Sequence, residues 1–376
     1  MPRSVFLSRE YLEHVERTAP VGLVPRYVIV YRDLKAVAAL SLQLLPIALS
    51  NVASETDAEG KARLVQRPAE VLRSRIRARV LVCGNLFSWG SHGVAFADGV
   101  NPEEVWPGIA EALYRVRRAE KLAGNTGLVL IKDLEGGLWD TTDPLDTYSY
   151  REFDTEPNMV LELSEDCAGF EDYLSRLNAR YRKSARKIIR QIDDAGISVV
   201  SHGDPLGSEI ERLYELFEQV HGSAAVRLVT PTIEYLAGLP EAFAGGFRWT
   251  LLKREGEVLG FVTTVRDGDT AIGYYIGFDR DANADLPIYF RLLYAVVEDM
   301  FALGCRRVSL GRTALEPKAR LGATPVPMRC RIRHRIPLLN AIVRQLLRTV
   351  SHDEAPDRSP FKAKPSGESK NESRGD

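Results

Sequence analysis

Cysteine is scarce in this chain. Its 376 residues hold four, Cys83, Cys167, Cys305 and Cys330, and no two share a metal-type spacing. That argues against a disulfide framework or a cysteine-built metal centre and fits reduced thiols. An excess of either charge is missing too: 50 Lys and Arg stand against 51 Asp and Glu, a net charge of −1. No global field then recruits DNA or anionic lipid, so such a partner must meet a local patch. Long apolar runs are almost absent. The one candidate, Ala36 to Ala53, is interrupted by Ser41, Gln43, Pro46 and Asn51. Its first half suits a buried strand better than a membrane span. The opening MPRSVFLSREYLEHVERT reads as an amphipathic helix without the apolar centre of a signal peptide. The expectation is a cytoplasmic protein.

What is present is a globular composition, 45% hydrophobic and 27% charged, long enough for two domains. The order of elements repeats. In the first half, strands at 35–42 and 79–84 precede a helix from Glu103 to Lys121 and a strand at 127–131. In the second, strands 258–265 and 271–276 flank the turn Asp267-Gly268-Asp269. A helix from Ile288 to Leu303 and a strand at 307–310 follow. This predicts an α+β chain of two related units, residues 1–156 and 157–350. Residues 351–376, rich in Pro, Ser and Gly, read as a disordered tail.

Between the halves, YLSRLNARYRKSARKIIRQI (173–192) reads as one amphipathic helix. Arg176, Arg180, Arg182, Lys183, Arg186, Lys187 and Arg190 make a basic face, either solvated or holding the phosphates of a donor or of lipid headgroups. Near the end, SLGRTALEPKARLGATPVP (309–327) places a glycine turn, two cations and a helix start close together. Thr313-x-x-Glu316 reads as a capping box, with Arg312 and Lys318 beside the helix start, and so as a phosphate or oxyanion site.

Taken together, these segments resemble a known family. The strand Asn158–Leu163, the helix carrying Tyr173, Leu174, Tyr181 and Arg182, and the Gly-Arg-Thr-Ala-Leu-Glu-x-Lys…Leu-Gly-Ala run at 311–323 are similar to Fem-like acyltransferases. Such proteins are built from two tandem GCN5-related N-acetyltransferase (GNAT)-like domains with mixed sheets. The bacterial ceramide synthase type is the branch it resembles most. The resemblance spans roughly residues 5 to 345. It implies transfer of an acyl group to a primary amine, with a long-chain acyl-CoA as co-substrate, a sphingoid base or other amino lipid as acceptor, and no tightly bound cofactor or metal. Two alternatives remain. One is transfer from aminoacyl-tRNA to a cell-wall precursor, although the long coiled-coil insertion of that branch is lacking. The other is a non-catalytic acyl- or nucleotide-binding protein. One departure stands out: the connection Asp279–Asp285 has no glycines for a pyrophosphate cradle.

Such chemistry needs a proton acceptor and donors for an oxyanion. The catalytic candidates are Lys318, Glu316, Tyr275 and His92. Glu316 competes with a capping role and Lys318 with a solvated one. Tyr275 is one of two adjacent strand tyrosines expected on opposite faces, and its phenol can protonate a leaving thiolate. His92 lies in the glycine-rich stretch 84–93 and is a base or an ordinary loop histidine. Substrate contacts are assigned to Arg312, Thr313, Asn85, Asp279, Tyr289 and Arg182. For Arg312 the rival is an ion pair, for Asp279 a turn cap, for Tyr289 the core. His221 reads as a helix C-terminal cap. No Ser-His-Asp arrangement stands out.

From Pro317 to His352 there is no acidic residue. Ile336, Leu339, Val343, Leu346, Leu347 and Val350 form a helical stripe there among eight basic residues. Such a helix either lies peripherally on an anionic membrane at the cytoplasmic face or packs its stripe on the domain.

Overall fold

The alternating apolar pattern of both halves is spent on a single mixed sheet. In the computed structural model the described residues are 4–48, 77–120, 126–204, 207–222, 228–347 and 358–362. The strands are β1 (Val24–Arg32), β2 (Lys35–Ala48), β3 (Arg77–Cys83), β4 (Val94–Phe96), β5 (Thr126–Glu135), β6 (Arg151–Glu162), β7 (Ser198–His202), β8 (Phe247–Arg254), β9 (Glu257–Asp267), β10 (Thr270–Phe278), β11 (Arg307–Ser309) and β12 (Thr324–His334). Their order is β1-β2-β3-β5-β12-β6-β11-β10-β9-β8-β7, with β4 beside β2. Thus the last strand, β12, returns to pair with β5 of the first half. Position 156/157 falls inside β6.

Besides the short helical turns Gly136–Trp139, Ile233–Ala237 and Leu239–Ala242, the helices are α1 (Arg9–Thr18), α2 (Pro102–Ala119), α3 (Phe170–Arg176), α4 (Ala179–Asp194), α5 (Glu209–His221), α6 (Arg280–Asp285), α7 (Ile288–Ala302), α8 (Leu315–Arg320) and α9 (Pro337–Leu347). The repeat is real. In each half a parallel strand pair, β3 with β5 and β10 with β11, brackets a long helix, α2 or α7, the second preceded by the short α6. Asn101 caps α2 and Pro102 takes its first turn, where proline's missing N–H costs nothing. Trp106, Ile109 and Leu113 of α2 then pack on Leu42, Leu44 and Leu81 of the sheet. Under α7, Val262, Ala271, Leu161 and Val308 form the core of the second half. The opposite sheet face carries an aromatic core of Tyr11, Phe217, Tyr235, Trp249, Phe261 and Tyr274.

The readings of the 173–192 helix and of the tail change, whereas the strand expected after Ala36 is present. The helix read across 173–192 breaks into α3 and α4, because Leu177 is extended (ψ 143°). Phe361 forms an isolated bridge to Leu177, and the Pro360 carbonyl accepts from Asn178 N–H at 2.9 Å. Most of the C-terminal stretch 351–376 lies outside the described residues, but 358–362 is docked: a side chain at Gly322 would collide with the Phe361 ring. The apolar run 36–53 is the strand β2 as far as Ala48, and no helix among the described residues is long and apolar enough to cross a membrane. In the C-terminal helix, Asn340 is the buried anchor, bonded to His334 N–H and the Ser149 carbonyl. Ile336, Leu338, Leu339 and Ile342 face outward. Of the expected stripe, Ile336 and Leu339 therefore do not pack on the domain and Val343 is half-buried; Val350 and the side chains of Leu346 and Leu347 lie outside what is described.

Candidate functional site

The β10–β11 pairing stops at Ile272–Ser309, and beyond it the two strands diverge. The first half fills that wedge with the loop 84–93. Trp89 Nε1 donates to Ser309 Oγ at 2.8 Å, and Tyr275 Oη donates to the Phe87 carbonyl at 3.0 Å. Gly311 has φ +80°, and a Cβ there would meet the Trp89 ring at 3.1 Å, so glycine lets the indole sit against the backbone.

Beside this contact a cavity of about 120 Å³ lies between the halves, room for a few waters or one small polar group. His92, Glu135, Asn158, Asp267, Arg307 and Ser309 line it. His92 Nδ1 lies 2.8 Å from Ser4 Oγ, and Ser4 Oγ donates to Asp267 Oδ2 at 2.9 Å. A serine hydroxyl has one proton. With that proton on Asp267, Ser4 Oγ must accept from Nδ1–H, so Nε2 carries the lone pair. His92 Nε2 and Arg307 Nε are buried and find no hydrogen-bond partner among the described residues. Burial lowers His92 to about 4, opposed chiefly by the charge of Asp267. The Trp89 backbone also favours the charged ring, although Nε2 is outside hydrogen-bonding geometry to it. At neutral pH the imidazole is neutral, with an open acceptor. Glu135 is pushed up by burial against the pull of Arg307.

Ser4, His92 and Asp267 do come together, but Ser4 stands between the other two, so this is not an arrangement in which a histidine links a free serine to an aspartate. Behind the cavity lies a buried charge network. Lys132 pairs with Asp133 and donates to the Ser88 carbonyl at 2.8 Å, while Arg312 reaches Asp133 at 3.2 Å. Burial lowers Lys132, with Asp133 opposing.

The other sequence candidates sort as follows. The capping box is absent: Ala314, not Thr313, is the N-cap of α8, in the left-handed region at φ 53° and without a side-chain cap bond. That shift of one residue turns Glu316 outward to Arg320 and Arg358. Thr313 is left exposed. The six-residue α8 with Arg312 already paired is not the anion site its sequence suggested. Lys318 is buried, 4% exposed, and burial lowers its ammonium to about 7, with Glu156 the opposing charge. Lys318 does not line the His92 cavity.

Tyr274 and Tyr275 share one side, ring centroids 4.3 Å apart. A bulge between Gly273 and Ile276 sets two residues against one and cancels the strand alternation. Tyr274 Oη bonds Tyr235 Oη at 2.6 Å, and Tyr11 Oη lies 2.9 Å from Tyr235 Oη. Burial raises the Tyr275 phenol, which stays protonated. Asn85 donates to Tyr11 Oη at 2.8 Å and so holds the wedge loop in place. Asp279 caps α6 and pairs with Arg212. Tyr289 packs on Phe278, its phenol raised to about 12 by burial. Arg182 donates to the Ser175 and Leu177 carbonyls at the end of α3. His221 stacks on Phe217 in the last turn of α5. Arg329 and Arg331 stack over Trp139, so these cations of the basic end serve the junction between the halves. No cluster of three or more His, Cys, Asp or Glu able to hold a metal occurs among the described residues. Of the residues brought together here the sequence singled out His92 alone; Ser4, Asp267, Glu135 and Arg307 were not among its candidates. Asp267 had been read only as a turn residue.

Comparison with known proteins fits this geometry. A family model described as an acetyltransferase (GNAT) domain matches residues 179–319. No curated protein matches the sequence. Among solved structures, FemX superposes with a TM-score of 0.56 at 12% identity over 91% of this chain and 94% of that one. L-PGS from Bacillus licheniformis superposes at 0.50, with 12% identity over 92% and 98%. The C-terminal domain of a putative lysylphosphatidylglycerol synthetase from Agrobacterium fabrum gives 0.50, with 9% identity over 85% and 86%. Residues 179–319 thus match an acetyltransferase (GNAT) domain model, within a mixed α+β fold similar to that of FemX.

Proposed function

We propose that this chain is an N-acyltransferase that moves an acyl group from an activated donor to a primary amine, with His92 as proton acceptor. The observation that carries the reading is the unpartnered Nε2 of a neutral, buried His92 facing a cavity between the halves. As the amine nitrogen attacks the donor carbonyl it becomes cationic, and Nε2 takes one of its protons. Asp267, through Ser4, then stabilises the imidazolium. Arg307 is the donor available to the oxyanion. The tetrahedral adduct collapses by expelling the thiolate of CoA or the ribose hydroxyl of a charged tRNA. For Lys318 we keep the site role that its motif implies. An ammonium set near neutral pH can give or take a proton there.

The first donor to test is long-chain acyl-CoA, with a sphingoid base or another amino lipid as acceptor. The outward apolar residues of α9, close to Arg333 and Arg335, support contact with an anionic membrane surface. A second reading, aminoacyl transfer from tRNA, is favoured by the likeness to FemX and to a lysylphosphatidylglycerol synthetase domain. The experiment is CoA release from palmitoyl-CoA with and without sphinganine, with the product weighed by mass spectrometry. An amide made only with both substrates, and lost in His92→Gln, supports the first reading. No release by folded protein with any acyl-CoA, alongside transfer from charged tRNA, replaces it with the second. Activity with neither donor overturns the proposal.

A further inference from the structure

On the sheet face opposite α2, the first half leaves an open trough of about 500 Å³, within the roughly 300–1,000 Å³ typical of small-ligand pockets. Strand register builds it. Ile29 of β1, Ala39 of β2 and Ala95 of β4 lie directly across from one another, so one row runs from a large side chain onto a floor of methyl groups. Leu7 and Leu12, from the N-terminal turn and α1, add to the wall. Among the described residues no charged side chain lines the trough, and the polar side chains there are the Tyr27 and Ser41 hydroxyls. Ile29, at 56% exposure, is a large apolar residue left in water on an edge strand that also exposes Tyr27 and Tyr31.

The trough approaches the His92 cavity closely. Ser41 N–H donates to the Gly93 carbonyl at 2.9 Å, one residue beyond His92. Leu7 belongs to the 3-10 turn Val5–Leu7, whose Phe6 ring stacks on His92 at 4.4 Å and whose Val5 N–H donates to Asp267 at 2.8 Å. One short turn thus has catalytic-cavity residues on one side and the trough wall on the other.

We infer that this trough binds the aliphatic chain of an amphiphilic substrate, laid along Ile29, Ala39 and Ala95 with its polar end toward His92. The role of that chain rests on the acyl-transfer reading; the binding does not. An aliphatic chain suits a narrow, uncharged channel with a methyl floor. The lining exposes far less area than the roughly 800 Å² per partner that a stable dimer buries, which argues against a second copy. Ala48, where β2 ends, is nine positions along the strand from Ala39, about 30 Å at strand rise.

The test uses the full chain and a diazirine-bearing hexadecanoic acid, with adducts mapped by mass spectrometry. Labelling is expected on peptides containing residues 27–41 and 94–97. Ala39→Trp, which fills the trough at an exposed position, and Ile29→Glu, which puts a charge in it, should each cut labelling at least tenfold. His92→Gln should leave labelling unchanged while abolishing transfer, which separates this inference from the catalytic one. If the chain belongs to the donor, Ala39→Trp erases the KM advantage of hexadecanoyl over butanoyl donors. If it belongs to the acceptor, the same variant erases the advantage of long over short amines. Labelling elsewhere, equal labelling in both variants, an Ala39→Trp-sensitive dimer on sedimentation, or crosslinks from the trough to residues 49–76 would each overturn the inference.

Discussion

His92 and Ser4 are 88 residues apart in the chain and 2.8 Å apart in space. The bond fixes which imidazole nitrogen is free, because Ser4 gives its own proton to Asp267. Replacing His92 with Gln should lower kcat by about 10²–10⁴ with little change in the unfolding midpoint. Ser4→Ala removes only the orientation of the ring, so a fall of roughly tenfold is expected. Steady-state rates beside circular dichroism melts check both. A His92→Gln enzyme of wild-type speed sinks the assignment.

The low set-point of His92, about 4 against an ordinary 6.5, fixes the sign of two pH effects. Transfer should not titrate with His92 across pH 6–8 and should fall as pH drops through about 4, where Nε2 is occupied. Stability follows linkage. The folded state binds this proton less readily than the unfolded one, so the contribution is complete above pH 6.5 and is lost as pH falls from 6.5 to about 4. The loss is on the order of 3 kcal/mol. Urea titrations at stepped pH should show that slope in the wild type and lose it in His92→Gln.

Lys318 makes the opposite kind of measurement possible. Its ammonium is lowered to about 7 by burial, so from pH 10.5 down to 7 the unfolded state takes up the proton first and stability declines. Lys318→Met keeps the volume and removes the buried charge. The variant should gain on the order of 2–4 kcal/mol at pH 7, a gain that vanishes above pH 10.5. Its acyl transfer should drop at least tenfold. Unchanged transfer would leave Lys318 a structural residue.

Asp299 is the buried hub of the second half. It accepts from Ser201, Arg248, Thr250 and Thr264 at 2.8 to 3.0 Å. Asp299→Ala strands these four donors and should cost about 2–4 kcal/mol, seen as a shift in the urea midpoint. Since Asp299 lines no cavity described above, kcat of the folded fraction should hold.

Much of the fold is legible in the residues. The proline and asparagine of α2, the turn at Asp267-Gly268-Asp269 and the apolar alternation of β2, β9 and β10 act locally, and local chemistry is what a sequence displays. The site is less so. Asp267 meets Ser4 across 263 residues, a distance no spacing rule spans. Tyr274 and Tyr275 were expected on opposite faces because nothing in Gly-Tyr-Tyr-Ile announces a bulge. The apparent capping box failed on one backbone angle, the left-handed Ala314, which no glycine or asparagine foretold. For Arg312 the sequence left a substrate contact and an ion pair both open, because its buried partner, Asp133, belongs to the other half.

The return of β12 to β5 has a consequence for how the chain is made. Asp133 and Cys330, in contact across those strands, are 197 residues apart. At roughly 5–20 residues per second, a ribosome takes about 10–40 s to cover that interval. Throughout it the apolar edge of β5, holding Leu128, Leu130 and Leu134, waits without its neighbour. The first half is therefore a nascent intermediate with an open border, and the stretch of synthesis between residues 135 and 324 is when this protein most needs a chaperone.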